Sequence, residues 1–566
     1  MQINGYDFNY SESELDAIFA KTNRIEMIDA DFDGFANLSD DDKMAVEHLV
    51  CAGAHINSAA MELDHAENIS IRAALQNAAA TDSLAKKSLE LFDSLNGVAG
   101  SNGIDKQDVE VFRGLHARKN FYPGDLDIPE FHKILKSMLN DGMAEEVRRI
   151  LSPRTVVRRS GDALISIDYV DYFDDYFTAA ADEIRIAADL TTDENFADFL
   201  RKQADALCTN DEELDAAADA AWATLQDCPI EFTVARENYV DEITPTVYED
   251  SELIDLLTRH KITAVAKDQL GVRVGVVNRR GTDMILKFKE LMPSLAAKMP
   301  RADEYEQSID ADLKQTMVDV DLIAMTGEYA MARGSIVTAQ NLPNDDKLSV
   351  LRGGGRRNVY HRQVRLRRDE GRTKQTLDAL IHSDLHHLYN PEGDHIWVVG
   401  HENGHSLGPD NEYKSALGNH SKTIEELKAD IISLAFMPEY VAAGVLSADE
   451  LKMIFASVAA GRFMLKAEPK PDRPHRVSDL MKFNYFHEFG AIGFDDAHLL
   501  TIDFDKFMAA AKKMLCDVID VQLSKSAAVA GDFIAKYAKW GPESARIAAK
   551  QQELGVKPYF KIVQKI

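Results

Sequence analysis

The sequence predicts an α+β protein, mostly helical, with a strand-bearing middle. Three observations carry that prediction: helical spacing in both end regions, a β-branched and aromatic middle, and a length of 566 residues, too great for one small core. Over the first two hundred residues apolar positions recur three and four apart, in MAVEHLVCAGAHI, EFHKILKSML and YFTAAADEIRIAADL. LNGVAGSNGID, NFYPGDLDIP and LSPRTVV carry turn chemistry and read as loops between them. From about Pro229 the texture changes. PIEFTVARENYVDEITPTVY and VRVGVVNRR are predicted strands, and SIVTAQNLPNDDKLSVLRGGGRRNVYHRQVRL is predicted strand and loop. From roughly Thr373 onward helical spacing returns.

Charge and cysteine usage narrow the function classes. With 94 acidic against 64 basic residues the net charge is -30, which repels phosphate backbones and anionic lipid, so neither nucleic acid nor membrane is an expected partner. Cys51, Cys208, Cys228 and Cys516 are scattered without a CxxC pair, which argues against a disulfide scaffold or a cysteine-built metal site. The N-terminus has no apolar leader and nowhere is there an apolar run long enough to cross a bilayer, so a cytoplasmic location is expected.

The strongest chemical signal is IWVVGHENGHSLGP. Ile396 to Val399 lead into His401-Glu402-Asn403-Gly404-His405, and Gly408-Pro409 end the helix. Residues i and i+4 share a helix face, so His401 and His405 can turn their imidazoles to one ion. Glu402 lies about 100° round the helix, placed to act on an ion-bound water rather than bind the ion. The competing reading is a chance HExxH, and Asn403 and Gly404 are poor helix formers. A candidate third ligand lies in SKTIEELKADIISLAFMPEY, a helix that Pro438 is expected to close. Glu426 and Asp430 share one face of it, so one can ligate while the other orients an imidazole N–H. Thr423-x-x-Glu426 also fits a capping box, in which Glu426 would only satisfy a backbone donor. On these residues alone both readings stand.

Other patterns are weaker. Asp29, Asp31, Asp33 and Gly34, with Asp40 in twelfth place, imitate a calcium loop but lack its bidentate Glu, so an acidic solvated loop is expected. His382, His386, His387 and His395 have no evident carboxylate partner and read as surface or loop residues. LRGGGRR lacks the Lys-Ser/Thr of a phosphate loop.

HENGHSLGP and EELKAD together resemble the dipeptidyl peptidase III family, metallopeptidase family M49, whose zinc motif is typically a hexad, HExxGH, followed by EECRAE. The pentad found here is similar to that of some divergent bacterial members and of the peptidase-like half of certain plant Nudix proteins. On that resemblance Glu426 matches the third zinc ligand, and Glu425 and Asp430 match acids that support the ligands. PIEFTVARENYVD resembles the segment that places a substrate-binding Glu at Glu237 and a catalytic Tyr at Tyr239. AQNLPNDD resembles NIPNYDD, putting Asn341, Asn344 and Asp346 on the peptide backbone and N-terminus. PHRVSDLMKFNYFHEFGAI puts His475 on the catalytic histidine. The chain departs from the family at the pentad, at Asp345 in place of a Tyr, and at Asn403-Gly404, and these departures bear on substrate class.

The resemblance implies two lobes, a helical zinc lobe and a lobe with a small β-barrel core, with a substrate cleft between. The expected division is 1–257 lower lobe, 258–324 upper, 325–371 lower, 372–540 upper with the metal site, and 541–566 returning to the lower lobe. The implied activity is release of dipeptides from peptide N-termini with one Zn2+ per chain, by a monomer or simple homodimer. A hydrolase of a non-peptide or modified-amide substrate and a catalytically weak peptide binder are the alternatives.

Overall fold

A computed structural model describes residues 10–21, 33–101, 119–237, 241–307, 315–328, 356–361, 372–471 and 473–554, with Phe112 and short strands at 2–3, 6–7, 26–27, 108–110, 339–342 and 562–563. The fold is α+β and mostly helical, as expected.

Helix α1 (Asp40–Asp64) is capped by Ser39, whose hydroxyl accepts the Asp42 N–H at 3.0 Å. Its apolar stripe of Ala45, Leu49, Ala52 and Ile56 is fully buried, and it packs on α2 (Asp174–Leu190) and on the central sheet. Between these helices Thr155–Ser160 and Ala163–Asp168 form an antiparallel hairpin where LSPRTVV read as loop. Val156 and Val157 are both buried, so the alternation that announces a strand is absent there.

The sheet follows: β1 (Ile230–Glu237), β2 (Gln269–Val277), then α3 (Arg279–Lys298), β3 (Gln315–Gly327), β4 (Ala339–Leu342) and β5 (Arg356–His361). Its order is β4-β5-β3-β2-β1, antiparallel throughout except for the parallel β3–β5 pair. Strands β4 and β1 are not paired to each other, so the expected small barrel is a curled half-barrel. Strand β3, the longest among the described residues, alternates from Val318 to Leu322 and then runs apolar to Met325, and both of its faces are buried, Asp319 and Asp321 included.

Glu231, Thr233, Arg273, Arg357 and His361 form a fully desolvated polar cluster on the sheet. Glu231 accepts from Arg357 at 2.9 and 3.0 Å, from Arg273 at 3.2 Å and from the Trp222 indole at 3.1 Å. Charges this deep persist only when paired, and here two guanidiniums grip one carboxylate. Elsewhere on the sheet, Asp319 of β3 and Tyr360 of β5 turn to a helix that follows them in the chain, where His395 lies 3.2 Å from Asp319.

Two large apolar cores result. One gathers α1, α2 and the sheet; the other gathers α3 and most helices after residue 377. The stretch 258–324 contributes to both: Val272, Val274, Val318 and Val320 to the first, Ile285, Phe288 and Met292 to the second. At the end of the chain Ile547 joins the second core, while Ile562–Val563 pairs in parallel with Glu26–Met27. Among the described residues no helix is long and apolar enough to cross a membrane.

Candidate metal centre

Three helices of the second core carry the site's side chains, α4 (Pro391–His405), α5 (Ser421–Ala442) and, after α6 (Ala448–Arg462), which packs on α4, α7 (Pro474–Glu488). Helix α4 starts on an Asn390 cap with Pro391 in its first turn, and is buried on almost every side. After His405 the chain turns at Gly408, whose φ of 92° only glycine adopts freely.

Gly404, a poor helix former by propensity, has a packing reason. A Cβ there would lie 2.8 Å from the Ala429 carbonyl oxygen and 2.9 Å from Ala429 Cα, both backbone atoms of α5. Gly400 likewise leaves no room against Ser433. The two glycines let α4 and α5 approach closely enough for their polar side chains to meet.

Helix α5 begins at Ser421 with His420 as its cap and no side-chain capping bond. Thr423 therefore sits inside the first turn, the capping box does not form, and Glu426 faces the imidazoles instead. The helix also runs through Pro438 to Ala442, where a stop was expected. Buried Met437 and Tyr440 hold the last turn, Tyr440 stacking on Phe288 with ring centroids 3.8 Å apart.

At the crossing, Nε2 of His401 lies 3.1 Å from Nε2 of His405, and Oε2 of Glu426 lies 3.4 Å from the first and 3.7 Å from the second. Two ligands about 2.1 Å from a tetrahedrally bound ion stand about 3.4 Å apart, so these separations are those of a zinc ligand set. Oε2 of Glu426 is sealed from solvent yet accepts no well-angled hydrogen bond, which is what a carboxylate oxygen shaped for a cation looks like. The donor set, two imidazoles and a carboxylate, therefore fits zinc.

Each imidazole is held by its other nitrogen. His401 Nδ1 lies 2.7 Å from Asp430, and His405 Nδ1 lies 3.1 Å from Glu425. Acceptors at both Nδ1 atoms place the proton there and leave both Nε2 lone pairs turned inward. Burial pushes Glu425 up, but Lys428 at 2.9 Å and Lys414 at 3.3 Å more than offset it and hold it well below the usual carboxylate range. Burial also raises Glu426, yet His475, His405 and His401 beside it leave it net lowered. His405 moves the opposite way, lifted by Glu425 against the effect of burial.

His475 enters from the first turn of α7, with Nδ1 3.0 Å from Glu426 Oε2. Ligating atoms of His401, Glu426 and His475 all lie within 4.8 Å of one another. Its side chain is 66% exposed, unlike that of His401 at 8%, so it borders solvent where a substrate would enter. Glu402 is half-buried, and burial together with its charge raises the hydroxyl of nearby Tyr360.

The remaining expected residues are placed unevenly. Glu237 ends β1 opposite Gln269, and Asn341 lies in β4 opposite Asn358. Tyr239, Asn344 and Asp346 lie outside the described residues, as do Asp29 and Asp31. Asp241 accepts backbone N–H groups of Ile243, Thr244 and Lys267 at 2.9–3.0 Å. Sequence reasoning missed Lys428, Ser478 and Lys482, because a buried lysine looks like a surface one until its carboxylate partner is known.

No family model matches the chain. Among curated proteins it is 23% identical over 430 residues to Nudix hydrolase 3 of Arabidopsis thaliana, which covers 71% of this chain and 52% of that protein. The chain thus spans about half the length of the curated relative it matches. Of solved structures, DPP III from Caldithrix abyssi superposes with a TM-score of 0.75 at 24% identity, covering 96% of this chain and 98% of that one. Dipeptidyl-peptidase III from Corallococcus sp. strain EGB gives 0.68 at 20% identity, covering 97% and 96%. Over nearly its whole length, the chain has the fold of the dipeptidyl peptidase III structures.

Proposed function

We propose that this chain is a zinc-dependent peptidase that releases dipeptides from peptide N-termini. The observation that carries the proposal is the meeting of His401, His405 and Glu426 at ligand-like separations, with each imidazole backed by a carboxylate. A zinc ion held by these residues would supply Lewis acidity to the scissile carbonyl and to the attacking water. Glu402 takes the proton of that water and passes it to the leaving amine. Tyr239 and His475 donate hydrogen bonds to the oxygen on which negative charge develops.

Glu237 pairs with the free α-ammonium of the peptide, and Asn341, Asn344 and Asp346 hold its backbone, so cleavage is counted from the N-terminus. Closure of the two lobes would bring Tyr239 towards His401, His405 and Glu426, the residues that would hold the zinc. The acidic, disulfide-poor composition supports a cytoplasmic enzyme. A second reading, hydrolysis of a non-peptide or modified-amide substrate, is favoured by the shortened motif and by Asp345 in the peptide-holding loop.

Turnover of a panel of dipeptidyl-arylamides tests the first reading. The expected result is arylamine release that chelator abolishes and added zinc restores. Zinc-loaded protein that leaves every dipeptidyl substrate intact would contradict it.

A further inference from the structure

Helix α7 does more than carry His475. Ser478 and Lys482 stand three and seven residues further on, hence on the same helix face. Both reach Asp430: the Ser478 hydroxyl donates to Oδ2 at 2.6 Å and the Lys482 ammonium to the same atom at 2.7 Å. The other carboxylate oxygen, Oδ1, is the one that faces His401 Nδ1. Lys482 also donates to Asp479 at 3.0 Å, and its ammonium lies 5.0 Å from the centre of the Trp397 ring beneath His401.

Lys482 and Ser478 are fully buried, and Asp430 and Asp479 nearly so. Burying a lysine is costly unless a carboxylate requires it, so this cation has a task inside the helix bundle. That task is to hold Asp430. With Oδ2 gripped by two donors, the carboxylate plane of Asp430 is fixed and Oδ1 is held against the imidazole.

We propose that Lys482, assisted by Ser478, is a positioning residue of the metal centre, acting through Asp430 to aim His401 Nε2 at the ion. Because His475 belongs to the same helix face, the bracket sets the place of that imidazole over Glu426 at the same time. This inference, which rests on the zinc reading above, adds residues that neither ligate nor touch substrate.

The test is zinc affinity, measured by competition with a chromophoric chelator, for wild type, Lys482→Met, Ser478→Ala, Asp430→Asn and the Lys482→Met/Asp430→Asn pair. Loss of a partner that orients a ligating histidine typically weakens metal binding 10–100-fold, so about tenfold is expected for Lys482→Met and somewhat less for Ser478→Ala. In the Asp430→Asn background Lys482→Met should add almost nothing, since the cation acts through that carboxylate. A purely structural lysine would lower the melting temperature and leave zinc affinity unchanged, whereas one acting on the site by another route would weaken zinc by the same factor in the Asp430→Asn background; either zinc result overturns the proposal. Should Lys482→Met fail to fold, Ser478→Ala decides alone: weaker zinc supports the bracket, and unchanged zinc overturns it. A wild-type chain that binds no zinc sinks the zinc reading itself, whereas wild-type affinity in both single variants sinks only the bracket.

Discussion

Glu402→Gln is expected to lower kcat about 10³-fold while the protein still binds one zinc ion per chain. General acid–base catalysis contributes typically 10²–10⁴-fold, and the substitution keeps the side chain's size while removing its capacity to take a proton. A 10³-fold loss corresponds to about 4 kcal/mol of transition-state stabilisation. The separation of effects follows from the helix: His401 and His405 share a face of α4, and Glu402 lies off that face, about 100° from His401 and about 60° from His405. Neither imidazole depends on it for orientation, since Asp430 and Glu425 perform that task. Steady-state kinetics beside metal analysis check this. A variant that loses zinc together with activity would make Glu402 a ligand or a scaffold instead of a base.

Gly404→Ala is expected to destabilise the protein by about 1–3 kcal/mol and to weaken zinc binding with it. Two effects of opposite sign compete at this position. In a helix interior glycine to alanine ordinarily stabilises, by about 1 kcal/mol. Against that stands a Cβ only 2.8 and 2.9 Å from atoms of the Ala429 backbone, where no flexible side chain can yield. The whole of α5 must move, and overpacking of that kind costs more than propensity returns. Ala429 lies one turn from Glu426 on α5, so the ligand moves with the helix. Denaturant unfolding and a zinc titration read the two consequences. As a control, Gly124→Ala, whose Cβ would meet nothing within 4 Å, should change stability little and leave zinc binding untouched.

Local chemistry was legible in the sequence where a periodicity and a function coincide. His401 and His405 one helical turn apart, and Glu426 with Asp430 on a second helix, defined two faces that had only to meet. What could not be read was the meeting itself. The same Gly404 that weakened the helix prediction is the residue that permits the crossing, and only the partner's backbone reveals it. Thr423 and Glu426 satisfied two patterns equally, and the choice fell to where α5 begins, one residue after His420.

The sheet tells a similar story. Strands β1 and β2 announced themselves by composition, whereas β3 alternates only from Val318 to Leu322 and buries both faces, so its Asp319 and Asp321 do not mark a solvent side. Its bulge between Leu322 and Ala324 shifts its register against β2. Lysines were the least legible residues. Lys428 and Lys482 are fully buried beside carboxylates that hold the imidazoles, yet nothing in their spacing separates them from solvated neighbours.

The central claim is that side chains from α4 and α5 share one cation. A crystal structure of the zinc-soaked protein, with anomalous data at the zinc edge, tests it most directly. One peak per chain is expected, about 2.1 Å from Nε2 of His401, Nε2 of His405 and a carboxylate oxygen of Glu426. Full zinc in the crystal with no peak there, and Glu426 swung away from both imidazoles, would contradict it.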